Sequence, residues 1–338
     1  MGCIKNMESF FSNSERDNIL RRNQSMDVLR ILACMGVILA HSAAMCFTIG
    51  IVEKGSVAWI MCDIVKRVAL WSVPVFAMLT GFFFLNPEKE LPLKKLYGKN
   101  TLRLALALVF WTLFNAVTVH SRYYPFGGMD TNFWYVGMCI GLYISMPVLR
   151  RIAANDKLLF YSCWIWFFIR CYYYVGKYVD VPIVITDYVF TRYVGYCLWG
   201  CYLSRVTLDR KKTRAIYLVG FVSLLSVALL PLLTNNKITF EYTDPIPALG
   251  VFAAFLFFIK HPIDCSVKTE KTLAHFSKAT FGIYMAHSFV VIETFSRLYR
   301  FFPNPFVLVP VAFIVIFGLS YFITLVIKQI PVLKNWVV

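Results

Sequence analysis

The 338-residue sequence is 59% hydrophobic and only 15% charged, and this composition excludes an ordinary soluble domain. It favours an integral membrane protein that crosses the bilayer several times. The net charge of +16 does not indicate nucleic-acid binding, because the basic residues lie in short segments between apolar runs. The ten cysteines show no metal-type spacing with histidine, so we interpret them as small hydrophobic residues and expect no metal.

Apolar runs of helical length predict an all-α, polytopic integral membrane bundle with about ten transmembrane helices. Residues 1–25 form a polar, basic cytoplasmic lead, residues 26–328 the transmembrane domain and residues 329–338 a short cytoplasmic tail. The predicted spans are 27–47, 65–85, 103–119, 133–149, 158–175, 189–203, 215–233, 246–259, 279–296 and 306–327. Lys and Arg concentrate in the N-terminal segment, in alternate loops and in the tail, which places both termini in the cytoplasm.

The first run carries three polar residues on one face of its predicted helix. Asp27 lies three residues before Arg30, and His41 follows after eleven steps, about three full turns plus roughly 20°. At ~1.5 Å per residue, His41 lies about 16 Å beyond Arg30, near the middle of a ~30 Å hydrocarbon core. An ionisable residue at that depth predicts a functional site.

The second run contains Pro74 and Gly81, which permit a kink and close helix packing. The loop before the third run is basic, with Lys94, Lys95, Lys99 and Arg103. Such a cluster can neutralise the phosphates of a nucleotide-containing donor, but taken alone it is better explained by positive-inside anchoring or contact with anionic lipid.

Further candidate residues lie in the later runs. Trp134 and Tyr143 belong to the fourth run, His287 lies in mid-membrane in the ninth, and Glu293 follows it by six residues. Because six residues turn a helix by about 600°, Glu293 does not face the direction of His287. His287 either belongs to the site or forms an interhelical hydrogen bond. The expected extracytoplasmic side interleaves aromatic and charged residues, a composition suited to sugars and also to a bilayer interface; these are His120, Arg122, Tyr123, Tyr124, Asp130, Tyr172, Tyr173, Tyr174, Asp187, Arg192, Glu241 and Asp244.

Five stretches, in order, resemble the acyltransferase type 3 family of membrane proteins. They are Asp27 to His41, VPVFAMLTG from Val73, the basic entry to the third run, WYVGMCIGLYISMP from Trp134, and FGIYMAH ending at His287. One departure concerns the basic entry, where the family commonly has two arginines three residues apart. Here Asn100 takes the first of those positions and Arg103 the second.

The resemblance implies an acyltransferase, transferring groups other than aminoacyl groups, in the inner (plasma) membrane. The donor would be cytoplasmic acyl-coenzyme A, usually acetyl-CoA. The acceptor would be a hydroxyl of a cell-surface glycan or lipid-linked sugar, as in O-acetylation of cell-envelope polysaccharide. Membrane lipids are further expected partners and nucleic acid is not, while homo-oligomer formation stays open.

The same resemblance implies roles for individual residues. His41 would act as general base or as nucleophile. Arg30 would hold a coenzyme phosphate or orient the thioester, with Asp27 positioning it, and Lys99 and Arg103 would also contact the donor. The expected acceptor-side or supporting residues are Trp134, Tyr143, His287 and Glu293.

Two other functions stay open from the sequence. A proton-coupled transporter would use His41, His287 and Glu293 as its path through the membrane. A noncatalytic membrane sensor with a degenerate site would account for Asn100, although the retained Arg30 and His41 oppose it.

Overall fold

The computed structural model describes residues 23–118, 133–179 and 189–338, and its regular elements are helices throughout these ranges. We number the helices α1 Gln24–Thr48, α2 Val57–Val68, α3 Ser72–Phe84, α4 Leu102–Thr118, α5 Trp134–Ala153, α6 Asp156–Gly176, α7 Val189–Arg205, α8 Arg210–Leu233, α9 Pro245–Lys260, α10 Val267–Tyr299 and α11 Pro305–Gln329. A short turn at Leu93–Lys95 and a π-helical turn at Leu96–Thr101 lead into α4. The all-α prediction is confirmed for the described residues.

Six helical stretches of the described chain are long and apolar enough to cross a membrane. They are α1, the combined segment Val57–Phe84, α5, α6, α8 and α11. Nine of the ten predicted runs each overlap one helix, and the second overlaps the end of α2 and all of α3. Helices α4 and α7 have 17 residues and α9 has 16. Helix α10 has 33 residues and carries charged residues in its first turns. The structure therefore supports a multi-pass membrane protein, while ten spans and the side of each terminus stay predictions.

The second predicted span is broken near Pro74. Helix α2 ends at Val68, a 3₁₀ turn covers Ala69–Trp71, and α3 resumes at Ser72. Proline lacks an N–H and its ring clashes with the carbonyl four residues earlier, so regular α-helical hydrogen bonding is disfavoured just before this position. The interruption that Pro74 permits is present as this 3₁₀ turn.

Helices α3 and α7 cross at two glycines. A Cβ atom on Gly81 would lie 1.7 Å from the carbonyl oxygen of Cys197, and one on Gly200 would lie 2.1 Å from that of Met78. Any larger residue would force the two backbones apart. This contact confirms the predicted role of Gly81 in close helix packing.

Helices α1 and α10 lie side by side and run parallel. Three successive contacts establish their register: Arg30 with Ser277, the Cys34 thiol with the Thr280 carbonyl oxygen, and the ring of His41 with that of His287. Parallel helices keep matched levels along their length because both rise by ~1.5 Å per residue. Arg30 and the two histidines therefore lie at one interface between α1 and α10, with Arg30 near one end and the histidine pair about three turns deeper. We call the end of the bundle where α1 begins the Arg30 end.

Arg170 is a charge in the middle of the helix predicted from the fifth run, and it is only 2% exposed. Its Nε donates a hydrogen bond to the Thr243 carbonyl oxygen at 2.8 Å, and its Nη2 lies 3.8 Å from an Asp244 carboxylate oxygen. A buried guanidinium is tolerated when it is paired and hydrogen-bonded in this way. The charge therefore fits within a packed helix.

The two predicted terminal segments differ in what the structure describes. Most of the predicted lead, residues 1–22, lies outside the described residues, and Asn23 caps α1 by accepting a hydrogen bond from the Met26 backbone N–H. The predicted tail packs against α4: the Trp111 indole donates to the Val337 carbonyl oxygen at 3.3 Å, and Val338 is 2% exposed. The last residues of the sequence are therefore part of the bundle's interior.

Candidate active site

A cavity of about 650 Å³ opens at the Arg30 end between α1, α3, α4, α5, α10 and α11. Its wall includes four basic side chains, Arg30, Arg103, Lys278 and Lys328, and no Asp or Glu among the described residues that line it. Arg103 and Lys328 lie at the ends of their helices. Arg30 lies in the second turn of α1, and Lys278 follows Ser277, the α10 residue that contacts Arg30. We call this space the cationic cavity.

Ser277 links Asp27 to Arg30. The Ser277 hydroxyl donates to Asp27 Oδ1 at 2.6 Å and accepts from Arg30 Nη1 at 3.3 Å. The Arg30 guanidinium also lies over the ring of Phe83, 5.3 Å from its centroid. Asp27 and Ser277 are buried, at 4% and 2% exposure, so this link is shielded from water. The arrangement can hold Arg30 in one orientation at the cavity wall.

Arg103 lines the cavity, and the predicted tail contacts its guanidinium. Its Nη2 donates to the Val338 carbonyl oxygen at 2.5 Å, and the group lies 5.3 Å from the centroid of the Phe281 ring. Asn100 also lines the cavity, whereas Lys99 is exposed and lies outside the lining. The predicted donor role of Lys99 stays a prediction. Lys278 and Lys328 are the further cations that the structure brings to this wall.

His41 and His287 form a pair beyond the inner wall of the cavity. Their ring centroids are 5.2 Å apart, with the rings tilted by 56°. The Nδ1 atom of His287 contacts the Tyr284 carbonyl oxygen and can only donate there, which leaves Nε2 as a bare acceptor in the neutral ring. That Nε2 is buried and has no hydrogen-bond partner among the described residues. The pair is thus equipped to accept a proton in the bundle's interior.

Tyr284 connects the histidine pair to the cavity. Its ring lines the cationic cavity and lies 5.3 Å from the His287 ring, measured between centroids. It also lies 5.2 Å from the ring of Tyr135, a second cavity residue. The Tyr284 ring therefore lies between the cavity and the histidine pair.

Trp134 and Tyr143 lie on different parts of α5. Tyr143 lines the cationic cavity and packs against Phe84, with ring centroids 5.2 Å apart. Trp134 lies at the opposite end of the bundle, against the rings of Tyr193 and Tyr242 at 5.5 and 6.4 Å. The structure therefore places Tyr143 beside the predicted donor residues and Trp134 away from them.

Glu293 lies outside this constellation. It is exposed and pairs with Arg297 one turn later, at 3.2 Å. Its predicted acceptor-side role stays a prediction, and the separation from His287 agrees with the turn calculated from the sequence. Within the described chain, no group of three or more His, Cys, Asp or Glu residues is arranged to hold a metal ion.

The predicted extracytoplasmic group is brought together in part. Lys177 contacts Glu241 at 3.1 Å and Asp244 at 2.9 Å, and Arg192 contacts Glu241 at 3.3 Å. His120, Arg122, Tyr123, Tyr124, Asp130 and Asp187 lie outside the described residues.

Four residues of the site escaped the sequence reasoning, namely Ser277, Lys278, Lys328 and Tyr284. Ser277, Lys278 and Tyr284 all belong to the helix of His287, three turns or fewer before it. The sequence spacing could have revealed two of them. If α10 runs parallel to α1 with His287 beside His41, the residues beside Arg30 must lie about eleven positions before His287, where Ser277 and Lys278 are ten and nine positions before it. Lys328 carried no such signal, since its place depends on how α11 packs.

The comparisons with known proteins show the family of this chain. The family model described as an acyltransferase domain matches residues 23–325, nearly the whole chain. Searches of curated proteins and of solved structures found no match. The matched range includes every residue of the Asp27–Ser277–Arg30 link and the histidine pair, and with this match the chain belongs to the acyltransferase type 3 family.

Proposed function

We propose that this membrane acyltransferase moves an acyl group, in the simplest case acetyl, from cytoplasmic acyl-coenzyme A to a hydroxyl of a cell-surface glycan or lipid-linked sugar. The observation that carries the proposal is the cationic cavity, which joins four basic side chains at the Arg30 end to the tyrosine beneath the histidine pair. The basic end suits the polyanionic nucleotide of such a donor, and the end at Tyr284 suits its reactive thioester.

The charge of the cavity supports a phosphate-bearing donor. Arg30 and Arg103 bring guanidinium groups to the cavity wall, where they also bond to Ser277 and Val338, and Lys278 and Lys328 add point charges that suit a phosphate. Partial burial strengthens these attractions, since water screens them less than at an open surface. Asn100 adds an uncharged amide to the same wall. The positive charge that a second arginine would supply there comes from Lys278 and Lys328 instead.

The histidine pair supports the transfer step. In direct transfer, His41 takes the proton of the acceptor hydroxyl while the oxygen attacks the acyl carbon. The C–O bond forms, the C–S bond breaks, and the proton passes to the departing thiolate. In the alternative, His41 attacks the acyl carbon first, the C–S bond breaks, and the coenzyme leaves as the thiol with the imidazole proton. The acceptor hydroxyl then attacks the acyl-imidazole, the C–N bond breaks, and the hydroxyl proton passes to His287 Nε2. His287 stands beside His41 in both schemes, with its bare Nε2 able to receive or hold a proton.

The opposite end of the bundle offers an approach for the acceptor. Trp134 presents a ring next to those of Tyr193 and Tyr242, and the charged pairs of Glu241 with Lys177 and Arg192 are partly exposed there. Aromatic rings pack on the apolar faces of sugars, and charged groups bond to hydroxyls. The donor and acceptor would then meet at the histidines from opposite ends.

Proton-coupled transport is the less favoured alternative. It requires an ionisable path that includes Glu293, and this carboxylate is exposed and paired with Arg297. The family match also favours transfer chemistry.

The test is transfer of radiolabelled acetyl from acetyl-CoA into membrane glycan by vesicles that contain the full chain. We expect label with wild type and with His261→Ala, an exposed histidine away from the cavity. His41→Ala should abolish transfer, and Arg30→Ala should raise the KM for acetyl-CoA. Equal transfer by His41→Ala and wild type would refute the catalytic assignment. Absence of both transfer and acetyl-CoA binding by wild type would refute the proposed donor.

A further inference from the structure

A second cavity, of about 320 Å³, lies on the other side of the bundle and is lined almost wholly by apolar side chains. Helix α8 packs against α9 and α2, and the space left between it and helices α6 and α7 forms a cleft whose floor is α9. The rings of Phe160, Trp164 and Trp199 form one wall, and Ile216 and Val219 form part of the other. We call this space the aromatic cleft.

The aromatic cleft opens sideways, toward the surface that faces lipid. Trp164 is 36% exposed, Phe160 is 47% exposed and Val219 is 46% exposed. Leu208, in the connection between α7 and α8, closes the cleft at the Arg30 end. Because the lining is almost wholly apolar, the ligand that suits it is a flexible hydrocarbon chain that enters from the bilayer.

Basic residues surround the end of the cleft nearest the bundle's Arg30 end. Lys212 shares a helix face with Ile216 and Val219, since it lies four and seven residues before them. Lys211, four residues before Ala215, shares that face as well, and Lys157 lies in the first turn of α6; the acids Asp156 and Asp209 flank them. The Lys212 contact with Asp209 is 3.7 Å between two exposed side chains, an ion pair weak enough to yield to a phosphate.

We propose that the aromatic cleft binds one acyl chain of an anionic membrane phospholipid, with the lipid phosphate at Lys212. The combination of an apolar slot and a cationic rim at headgroup level distinguishes this ligand from a neutral lipid, which would use only the slot. The site shares no lining residue with the cationic cavity, so the inference stands apart from the proposed transfer reaction.

Native mass spectrometry of the full chain, exchanged into a defined mixture of phosphatidylglycerol and phosphatidylcholine, tests the proposal. We expect wild type to retain one phosphatidylglycerol in preference to phosphatidylcholine. Ala215→Trp fills the cleft and should remove the bound lipid, while Leu218→Trp, one turn further along α8 and outside the lining, should keep it. Lys212→Gln should lower the preference for phosphatidylglycerol about fivefold, whereas Lys94→Gln, at another exposed basic turn, should not.

Three results would overturn the proposal. The first is retention by Ala215→Trp equal to that of wild type. The second is equal retention of both lipids by wild type. The third is displacement of phosphatidylglycerol by an uncharged polyprenol, which would assign the cleft to a neutral isoprenoid. Because the Lys212 side chain is exposed, Lys212→Gln should fold normally. Its preference for phosphatidylglycerol therefore tests the proposal even if Ala215→Trp is poorly folded.

Discussion

Ser277→Ala should weaken donor binding by removing the hydroxyl that joins Asp27 to Arg30. The lost contacts are the 2.6 Å bond to Asp27 and the 3.3 Å bond from Arg30, both to charged groups. Hydrogen bonds to charged groups contribute about 1.5–3 kcal/mol each. Because Arg30 is partly exposed and its bond is long, we take about 1.5 kcal/mol, which corresponds to roughly a tenfold higher KM for acetyl-CoA.

The assay is transfer of labelled acetyl by vesicles, with kcat and KM measured separately for acetyl-CoA. If Ser277 only positions Arg30, KM rises and kcat changes little. Ser277→Thr keeps the hydroxyl and should recover most of the affinity. The matched control is Ser320→Ala on α11, a fully buried serine whose hydroxyl has no hydrogen-bond partner in the described part of the chain. A folded Ser277→Ala variant with a KM within twofold of wild type would refute the reasoning.

Three further changes test other parts of the structure. Gly81→Ala should destabilise the protein by about 1–3 kcal/mol, because the new Cβ would lie 1.7 Å from a carbonyl oxygen of α7, and its thermal midpoint in detergent should fall. Gly318→Ala, with open space around the glycine, should keep the wild-type midpoint. Equal midpoints for the two variants would contradict the helix crossing. His287→Gln should reduce kcat by roughly 10²–10⁴-fold with little effect on the donor KM, and a normal kcat would remove His287 from the proton path. Desolvation raises the pKa of Glu241, but the bond from Lys177 and the neighbouring positive charges outweigh it and hold this pKa below the ordinary value. Wild type should therefore be more stable than Glu241→Gln at neutral pH, and the difference in stability should disappear as the pH falls through and below ~4. A difference that does not change with pH would contradict this prediction.

The sequence by itself determined the helical architecture and half of the site. Long apolar runs in a bilayer must satisfy their own backbone hydrogen bonds, so each predicted span contains helix in the structure. Most of α2, Val57–Val68, lies before the predicted second span and was missed. Helical geometry alone also placed Arg30 and His41 on one face and turned Glu293 away from His287. These are local consequences of one residue following another along a helix.

Only the tertiary structure decided which helices meet. The pairing of His41 with His287 and the bridge from Ser277 to Asp27 join residues separated by about 250 positions, and both depend on α1 and α10 lying parallel in one register. Lys328 reaches the cationic cavity through the packing of α11, and the predicted tail reaches Arg103 in the same region. Hydrophobicity drives every apolar helix into the membrane alike, so it carries no information about neighbours; close contacts such as Gly81 against α7 select them, and these exist only once the bundle has formed.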